Sequence, residues 1–274
     1  MLRLTSILLA ALLLPACTHA TAPGKGCSAD DLEHGARLQR TVTVAGSERH
    51  YILEVPAAVT PGQPVPLILA FHGWGHSGEG VWKASRFREL RDTGPFLTAY
   101  PEGLPVALLG NEARAGWEIK SLEGNRDLAF VNAMIDDIER SHCVDPRRIY
   151  ASGFSNGGWL SHMLGCALSD RIAAIAPVGG GDLLVACTPE RPVPVIIHHG
   201  TRDGVVPLAH ARAASQGWAR RNGCGEAVSE GNCQRYQGCR QGAEVIFCEE
   251  DIAHLWPPAA TQRVWDFFAR HPRK

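Results

Sequence analysis

The sequence predicts one α/β domain: a mostly parallel sheet, opened by an antiparallel hairpin, with helices on both faces. Three observations support this fold class. Two alternating runs at residues 38–44 and 50–55 flank a turn at 45–48, which is typical of a hairpin. Short, almost wholly apolar runs then recur along the chain, as buried parallel strands require. Helical patterns separate these runs, so strand and helix alternate.

The individual elements follow from periodicity and from the residues that bound each run. After the hairpin, strands are predicted at residues 66–71, 96–100, 148–152, 194–200 and 244–248. Helices are predicted at residues 80–91, 127–142, 159–167 and 258–270. Residues 223–242 are polar, rich in glycine and without periodicity, so they are predicted to be an irregular insert.

Length and charge limit the class of protein. The chain has 274 residues and 45% apolar composition, enough for one core, and we expect a single catalytic domain at residues 34–274. The formal net charge is −1, and Lys and Arg form no stripe. Nucleic acid is therefore not an expected partner.

The N-terminus has the pattern of an export signal. Arg3 precedes an apolar run at residues 4–14, too short for a membrane span. We expect a signal peptide at residues 1–16 and a tether at 17–33. Residues 14–17 resemble a lipobox in which Cys17 would carry lipid, although Pro15 is off-pattern. Cleavage within residues 18–22 would instead release a soluble protein. Both alternatives predict an extracellular or periplasmic location, with membrane or cell-surface anchoring only through Cys17.

Nine cysteines fit an oxidising compartment, since eight remain without Cys17. Disulfides stabilising the fold are expected, although eight cysteines allow roughly a hundred pairings. A zinc site is the alternative, but no C-x-x-C pair is present. The expected pairs are Cys27 with Cys143, Cys166 with Cys187, Cys224 with Cys239, and Cys233 with Cys248.

The most informative motif is Gly153-Phe154-Ser155-Asn156-Gly157-Gly158, which lies between a predicted strand and a predicted helix. A serine at a sharp strand-to-helix turn needs neighbours without side chains, and Gly153 and Gly157 meet that need. The motif predicts that Ser155 is a nucleophile. A plain glycine-rich turn is the alternative.

An acid and then a histidine should follow such a serine along the chain. Asp203 comes just after the strand at residues 194–200, and His254 comes after the strand at 244–248. Loops at these strand ends carry catalytic groups in parallel sheets. Asp182 is a competing acid, but it follows the earlier stretch at 172–181. His254 would be the base and Asp203 its partner.

An oxyanion hole is predicted from the loop His72-Gly73-Trp74-Gly75, which follows the strand at residues 66–71. The backbone N–H of Trp74 is one expected donor. The other is the backbone N–H of Asn156, at the start of the next helix. Neither a metal nor a cofactor is required; adjacent His198 and His199 point to opposite faces of a strand and cannot easily share an ion.

Four segments of this chain resemble the secreted polyhydroxybutyrate depolymerase and feruloyl esterase group of α/β-hydrolases, which is similar to carbohydrate esterase family 1. The segments are His72-Gly73-Trp74, residues 143–150 leading into the Ser155 motif, His199-Gly200-Thr201-Arg202-Asp203, and His254-Leu255-Trp256-Pro257. The chain departs from the group at Ala253, where Gly is usual, and at Trp74, where Cys is frequent. The resemblance implies the same roles for Ser155, Asp203 and His254.

The resulting hypothesis is a serine carboxylic-ester hydrolase that acts through an acyl-enzyme on esters derived from polymers or oligomers, like a polyhydroxybutyrate depolymerase. A feruloyl or acetylxylan esterase is the alternative, and a peptidase or a noncatalytic binding module ranks lower. Three tryptophans near the predicted site could bind the substrate through their rings: Trp74, Trp117 and Trp256. They could equally be core residues.

Overall fold

The computed structural model describes Cys27 and residues 35–90, 94–108, 110–181 and 188–274. The strands are β1 (Arg37–Val44), β2 (Ser47–Glu54), β3 (Val65–Phe71), β4 (Leu97–Pro101), β5 (Leu104–Val106), β6 (Arg114–Gly116), β7 (Val144–Phe154), β8 (Ala174–Val178), β9 (Val195–Gly200), β10 (Ala227–Glu230), β11 (Cys233–Tyr236) and β12 (Val245–Glu250). The α-helices are α1 (Gly78–Ser85), α2 (Arg126–Ser141), α3 (Asn156–Ala167), α4 (Leu208–Arg221) and α5 (Ala260–Arg270).

Ten of these strands form one sheet in the order β1-β2-β4-β3-β7-β8-β9-β12-β11-β10. The six strands from β4 to β12 in this order are parallel. The pairs at the two edges are antiparallel. Because the central strands are parallel, the loops that follow β3, β7, β9 and β12 meet at one edge of the sheet.

The two faces of the sheet bury separate sets of apolar side chains. Leu67 and Phe71 of β3 pack on one face with side chains of α2, α3 and α4. Ile68 and Ala70 pack on the other face with side chains of α1 and α5. This alternation follows the period of two of a strand. The predicted fold class, a mostly parallel sheet opened by an antiparallel hairpin and covered by helices on both faces, is confirmed.

The predicted helix at residues 80–91 is shorter than expected. Helix α1 begins after Ser77, whose hydroxyl accepts a hydrogen bond from the backbone N–H of Gly80, and it ends at Ser85. Arg86 then adopts a left-handed conformation with φ of 56°, and a 3₁₀ turn covers Phe87–Leu90. The sequence pattern does not indicate that the helix ends here, because Arg is an unusual residue for a positive φ.

Residues 223–242 were predicted to be irregular, and that prediction is wrong in part. The segment contains β10 and β11, which extend the sheet beyond β12. Its burial pattern is almost wholly exposed or half-buried, so no alternation of apolar residues marks the strands. Disulfides fasten the hairpin instead: Cys224 is bonded to Cys239, and Cys233 to Cys248.

A third disulfide joins Cys27 to Cys143, just ahead of β7. These three pairs are the ones expected from the sequence. Cys166 is also disulfide-bonded, but its expected partner Cys187 lies outside the described residues. Other predicted features also lie outside the described residues: Asp182, Cys17, the expected signal peptide and, apart from Cys27, the residues before position 35. Within the described ranges, no helix combines the length and hydropathy needed to cross a membrane.

One buried ion pair holds helix α2 against the sheet. Arg49 of β2 donates to Asp127 at 2.7 Å, and their side chains are 2% and 0% exposed. The other carboxylate oxygen of Asp127 accepts from the backbone N–H of Glu118 at 2.8 Å, and the Arg49 guanidinium lies 4.0 Å from the ring centre of Phe130. The pair therefore fixes the chain that leads to α2.

Replacement of Asp127 by alanine is expected to lower the free energy of unfolding by about 3–5 kcal/mol. The reason is that the Arg49 charge stays buried without its partner. Urea unfolding followed by circular dichroism measures the change. As a control, Glu89→Ala removes an exposed pair with Arg86 and should change the stability little, because solvent screens that pair. Equal effects of the two substitutions would contradict this account.

Candidate active site

The serine motif forms a strained turn between β7 and α3. Ser155 has φ of 54° and ψ of −116°, a region that costs a side-chain-bearing residue about 1–3 kcal/mol. Its backbone N–H donates to the carbonyl of Val178 at 2.9 Å, and its carbonyl accepts from Trp159 at 3.1 Å. These bonds fasten the turn to β8 on one side and to α3 on the other.

Close packing explains the two glycines of the motif. A Cβ at Gly153 would lie 2.4 Å from the carbonyl oxygen of Gly157, and a Cβ at Gly157 would lie 2.3 Å from that of Phe71. Both distances are far below van der Waals contact, and both partners are backbone atoms that cannot rotate away. The glycines thus allow the sharp turn that leaves Ser155 half-buried at the sheet edge.

Asp203 and His254 are brought together by the loops after β9 and β12. His254 Nδ1 lies 2.6 Å from Asp203 Oδ2. Asp203 Oδ1 accepts from the backbone N–H groups of Val205 and Val206 at 2.9 and 2.8 Å. Burial opposes ionisation of Asp203, but the bonds from His254 and the two N–H groups outweigh it and lower its pKa. The carboxylate is therefore charged at neutral pH.

The imidazole of His254 lies beside the serine turn. Its ring centre is 4.6 Å from that of Phe154, the residue before Ser155. A Cβ at Gly179 would lie 3.4 Å from His254 Cε1 and 3.1 Å from Phe154. Gly179, with φ of 60°, follows Val178, which binds the Ser155 N–H. The structure thus places the predicted nucleophile, base and acid at one edge of the sheet.

The loop after β3 approaches the serine from the other side. A Cβ at Gly73 would lie 3.3 Å from Ser155 Cβ. His72 holds this loop: its Nε2 accepts from the backbone N–H of Gly103 at 2.9 Å, so Nδ1 carries the proton and donates to the Gly73 carbonyl at 2.7 Å. Burial lowers the pKa of His72 to about 4, and the ring is neutral at neutral pH.

This lowered pKa predicts a loss of stability in acid. Between about pH 6.5 and 4 the unfolded chain binds a proton at His72 and the folded protein does not, so folding weakens as pH falls. Each such histidine contributes about 1.4 kcal/mol per pH unit. Urea unfolding at pH 5–6.5 should therefore show a smaller slope for His72→Gln than for wild type. A variant of exposed His50 serves as control, and a slope unchanged by His72→Gln would contradict the prediction.

The hairpin of β5 and β6 is not predicted by the sequence, because its strands have three residues each and are too short to show a periodicity. It braces the loop after β3: the Trp74 indole N–H donates to the Val106 carbonyl at 2.9 Å, and the Gly75 N–H donates to the Ala115 carbonyl at 2.7 Å. The Arg114 guanidinium lies 5.2 Å from the Trp74 ring. Apart from the turn at Gly110, little in the local sequence signals this hairpin.

Trp117 does not fit the predicted role in substrate binding, because it is 1% exposed. Its indole N–H donates to the His72 carbonyl at 2.8 Å, and its ring meets Phe71 edge-on. Asn156 clamps its backbone: Oδ1 accepts from the Trp117 N–H at 2.7 Å and Nδ2 donates to its carbonyl at 3.2 Å. Trp117 is a packing residue beneath the site.

The other two tryptophans are half-buried. Trp74 lies on the loop beside Ser155, so one part of its ring remains available. The Trp256 indole donates to Thr261 Oγ1 at 3.0 Å and packs edge-on against Phe87. Two exposed apolar side chains flank the site: Val205 near Asp203 is 67% exposed, and Leu255 after His254 is 62% exposed.

A strained serine, an imidazole hydrogen-bonded to a buried carboxylate, and a glycine loop beside them are the parts of a serine hydrolase. The fold and this edge of the sheet thus define a serine hydrolase of the α/β class. The family model for phospholipase/carboxylesterase matches residues 53–229. The chain belongs to this phospholipase/carboxylesterase family.

Sequence relatives agree with that assignment along the whole chain. Feruloyl esterase D of Neurospora crassa is 28% identical over 293 aligned positions, which cover 98% of this chain and 97% of that protein. Feruloyl esterase C of Emericella nidulans is 28% identical and covers 80% of this chain and 83% of its own length. This chain is accordingly an esterase of the α/β-hydrolase type.

Solved structures show the same fold at low identity. An acetyl xylan esterase from Aspergillus awamori superposes with a TM-score of 0.67 and 14% identity, over 86% of this chain and 99% of that one. A ferulic acid esterase from Anaeromyces mucronatus, solved with ferulic acid, gives a TM-score of 0.61 and 13% identity, over 93% of both chains. The disulfides and the fungal feruloyl esterase relatives are consistent with an exported protein.

Proposed function

We propose that this chain is a feruloyl or acetyl esterase that acts on esters of plant polysaccharide through Ser155, His254 and Asp203. The observation that supports this mechanism is the hydrogen bond between His254 and Asp203 beside the strained turn of Ser155. Similarity to feruloyl esterases, over nearly the full length of one and about four fifths of another, supports the substrate class. The relatives favour this alternative over the polyhydroxybutyrate depolymerase that the sequence motifs first suggested.

In the proposed mechanism, Ser155 Oγ attacks the ester carbonyl carbon while His254 Nε2 takes the hydroxyl proton. Asp203 keeps the proton of His254 on Nδ1 and stabilises the imidazolium that forms. Collapse of the tetrahedral intermediate breaks the ester bond, and His254 returns the proton to the departing alcohol. Water, deprotonated by His254, then releases the acid from Ser155.

The backbone N–H groups of Trp74 and Asn156 are the proposed oxyanion donors. Gly73 brings the Trp74 loop against Ser155. Neither N–H group donates to a backbone carbonyl elsewhere in the described part of the chain. Asn156 begins α3, where the helix dipole also favours negative charge. Loss of one such donor costs roughly 10²–10³-fold in kcat in comparable sites.

The surface around the site suits an apolar acyl group. Trp74 is half-buried on the oxyanion loop, and Val205 and Leu255 expose branched side chains beside the acid and the base. A hydroxycinnamoyl ring would cover part of this surface. The substrate is then a feruloyl or acetyl ester on a polymer or oligomer.

Hydrolysis of matched substrates tests the proposal. Methyl ferulate, acetylated xylan and 3-hydroxybutyrate oligomers are compared with wild type and with Ser155→Ala. Release of ferulate or acetate by wild type alone supports the proposal. Preferential release of 3-hydroxybutyrate would identify a polyester depolymerase instead, and activity of Ser155→Ala would reject the nucleophile.

The proposed location is extracellular or periplasmic, either as a protein anchored to a membrane or cell surface through lipid on Cys17 or as a protein released without an anchor. The disulfides support export, since they persist in oxidising compartments. Mass spectrometry of the mature N-terminus distinguishes a lipidated Cys17 from a start within residues 18–22. A mature protein that keeps residues 1–16 would overturn the expected signal peptide.

A further inference from the structure

A second imidazole, that of His199, touches the proposed acid. His199 is the last residue but one of β9 and its side chain is 0% exposed. Its Nε2 lies 2.9 Å from the Val206 carbonyl oxygen and 3.4 Å from Asp203 Oδ2. No described residue hydrogen-bonds to its Nδ1. Since Nε2 faces two acceptors, that nitrogen carries the ring proton.

The His199 N–H donates to the turn that holds Asp203 and also faces the Asp203 carboxylate. Val206 donates its backbone N–H to Asp203 Oδ1 and accepts at its carbonyl from His199. His254 binds Asp203 Oδ2, the oxygen that His199 also approaches. Each carboxylate oxygen therefore has two hydrogen-bond donors nearby, and rotation of the carboxylate would break contacts on both sides.

The ring of His199 is suited to donate without adding charge. Burial lowers its pKa, although the Val206 carbonyl and the Asp203 charge act in the opposite direction. A neutral N–H interacts with the Asp203 carboxylate more weakly than an imidazolium would. Most of the negative charge of Asp203 therefore remains to stabilise His254. The ionisable groups around this pair are His254, His210 of α4, and the exposed ion pair of Arg202 with Asp251.

The cost of burying His199 indicates more than packing. A buried polar atom without a partner destabilises the folded protein, and an aliphatic side chain would not have this cost at Nδ1. An aliphatic residue would also lose the Nε2–H bond to the turn. Nε2 is therefore the atom through which His199 acts on this turn and on Asp203.

We propose that His199 is a positioning residue for Asp203: its Nε2–H fixes the carboxylate and shares Oδ2 with His254. It thereby limits how strongly Asp203 stabilises the protonated form of His254. This inference rests on the proposed esterase mechanism.

The test compares two substitutions of similar length. His199→Gln keeps an N–H donor, and His199→Met removes it. His198→Met is the matched control, because His198 is the neighbouring buried histidine of β9 and its Nδ1 faces Glu250 at 3.4 Å rather than Asp203. Wild type and Ser155→Ala are measured in parallel with a p-nitrophenyl ester.

For His199→Met we expect kcat to fall roughly 10–100-fold, as for a small misplacement of a reacting group, with little change in KM. The acid limb of the kcat/KM profile should move to higher pH, because Asp203 then acts on His254 alone. His199→Gln should bring the limb back towards its wild-type position. The proposal is overturned if the acid limb of the kcat/KM profile of His199→Met coincides with that of the His198→Met control, or if it moves to lower pH.

A second readout needs no substrate. The proton between His254 and Asp203 should give a downfield ¹H NMR resonance that shifts in His199→Met and not in His198→Met. An unshifted resonance would also overturn the proposal, even in a variant of reduced stability. Activity that survives in Ser155→Ala would reject the proposed nucleophile instead, so the two failures are distinguishable.

Discussion

Replacement of Ser155 by alanine is expected to lower kcat for ester hydrolysis roughly 10⁵–10⁶-fold, as in other serine hydrolases whose nucleophile is removed. The acyl-enzyme cannot form without the hydroxyl. Substrate binding should persist, because the loop of Gly73 and the start of α3 do not depend on Ser155 Oγ. The substitution is not expected to relieve the backbone strain at position 155, because alanine is also strained at a positive φ.

Pre-steady-state kinetics with excess p-nitrophenyl acetate measure this loss, because the burst of nitrophenol counts the acyl-enzyme directly. Ser215→Ala is a suitable control: Ser215 is a buried serine of α4 whose hydroxyl donates to the Arg212 carbonyl. The control should keep its burst. Retention of more than about 1% of wild-type kcat by Ser155→Ala, beyond the residual rate of comparable variants, would contradict a covalent role.

Asp203→Asn should lower kcat by roughly 10⁴-fold while the fold is retained, an effect known for the equivalent change in other triads. An asparagine can still accept the Val205 and Val206 N–H groups at one position. Its amide N–H₂ would then face His254 Nδ1 and make that nitrogen an acceptor. The ring proton would move to Nε2, where it blocks transfer from Ser155.

The pH profile of kcat and thermal unfolding of Asp203→Asn together check this reasoning. The matched control is Asp251→Asn, on the neighbouring loop, where the carboxylate is 84% exposed and pairs with Arg202. It should lose little activity. If the two variants lost activity equally, the hydrogen bond between Asp203 and His254 would not be the important contact.

The catalytic candidates were predictable because their signals are local or follow chain order. The strain at Ser155 requires Gly153 and Gly157 within two residues, so the motif itself encodes the turn. Asp203 and His254 follow strands whose apolar runs are plain in the sequence, and parallel pairing then brings both loops to one edge. Spacing around a short segment similarly favoured the Cys224–Cys239 and Cys233–Cys248 pairs.

The parts that escaped prediction depend on distant packing. Trp117 is aromatic and close in sequence to the site, yet only its contacts with Phe71, His72 and Asn156 show that it is buried. Strands β10 and β11 lack an apolar alternation because the hairpin lies at the sheet edge and is held by disulfides. The contact of His199 with Asp203 depends on the turn between them.

The disulfide of Cys27 with Cys143 fixes the N-terminal chain at the end of the sheet opposite to Ser155. Cys143 precedes β7 and Ser155 follows it, so the strand lies between them. From Val144 to Gly153, β7 runs beside β3 from Val65 to Phe71, a span of roughly 20 Å. The point where the N-terminal chain is stapled and the esterase site are consequently at opposite ends of the sheet. A surface, bead or fused module joined ahead of Cys27 would face the rear of the domain and leave the Ser155 end open to a large, insoluble substrate.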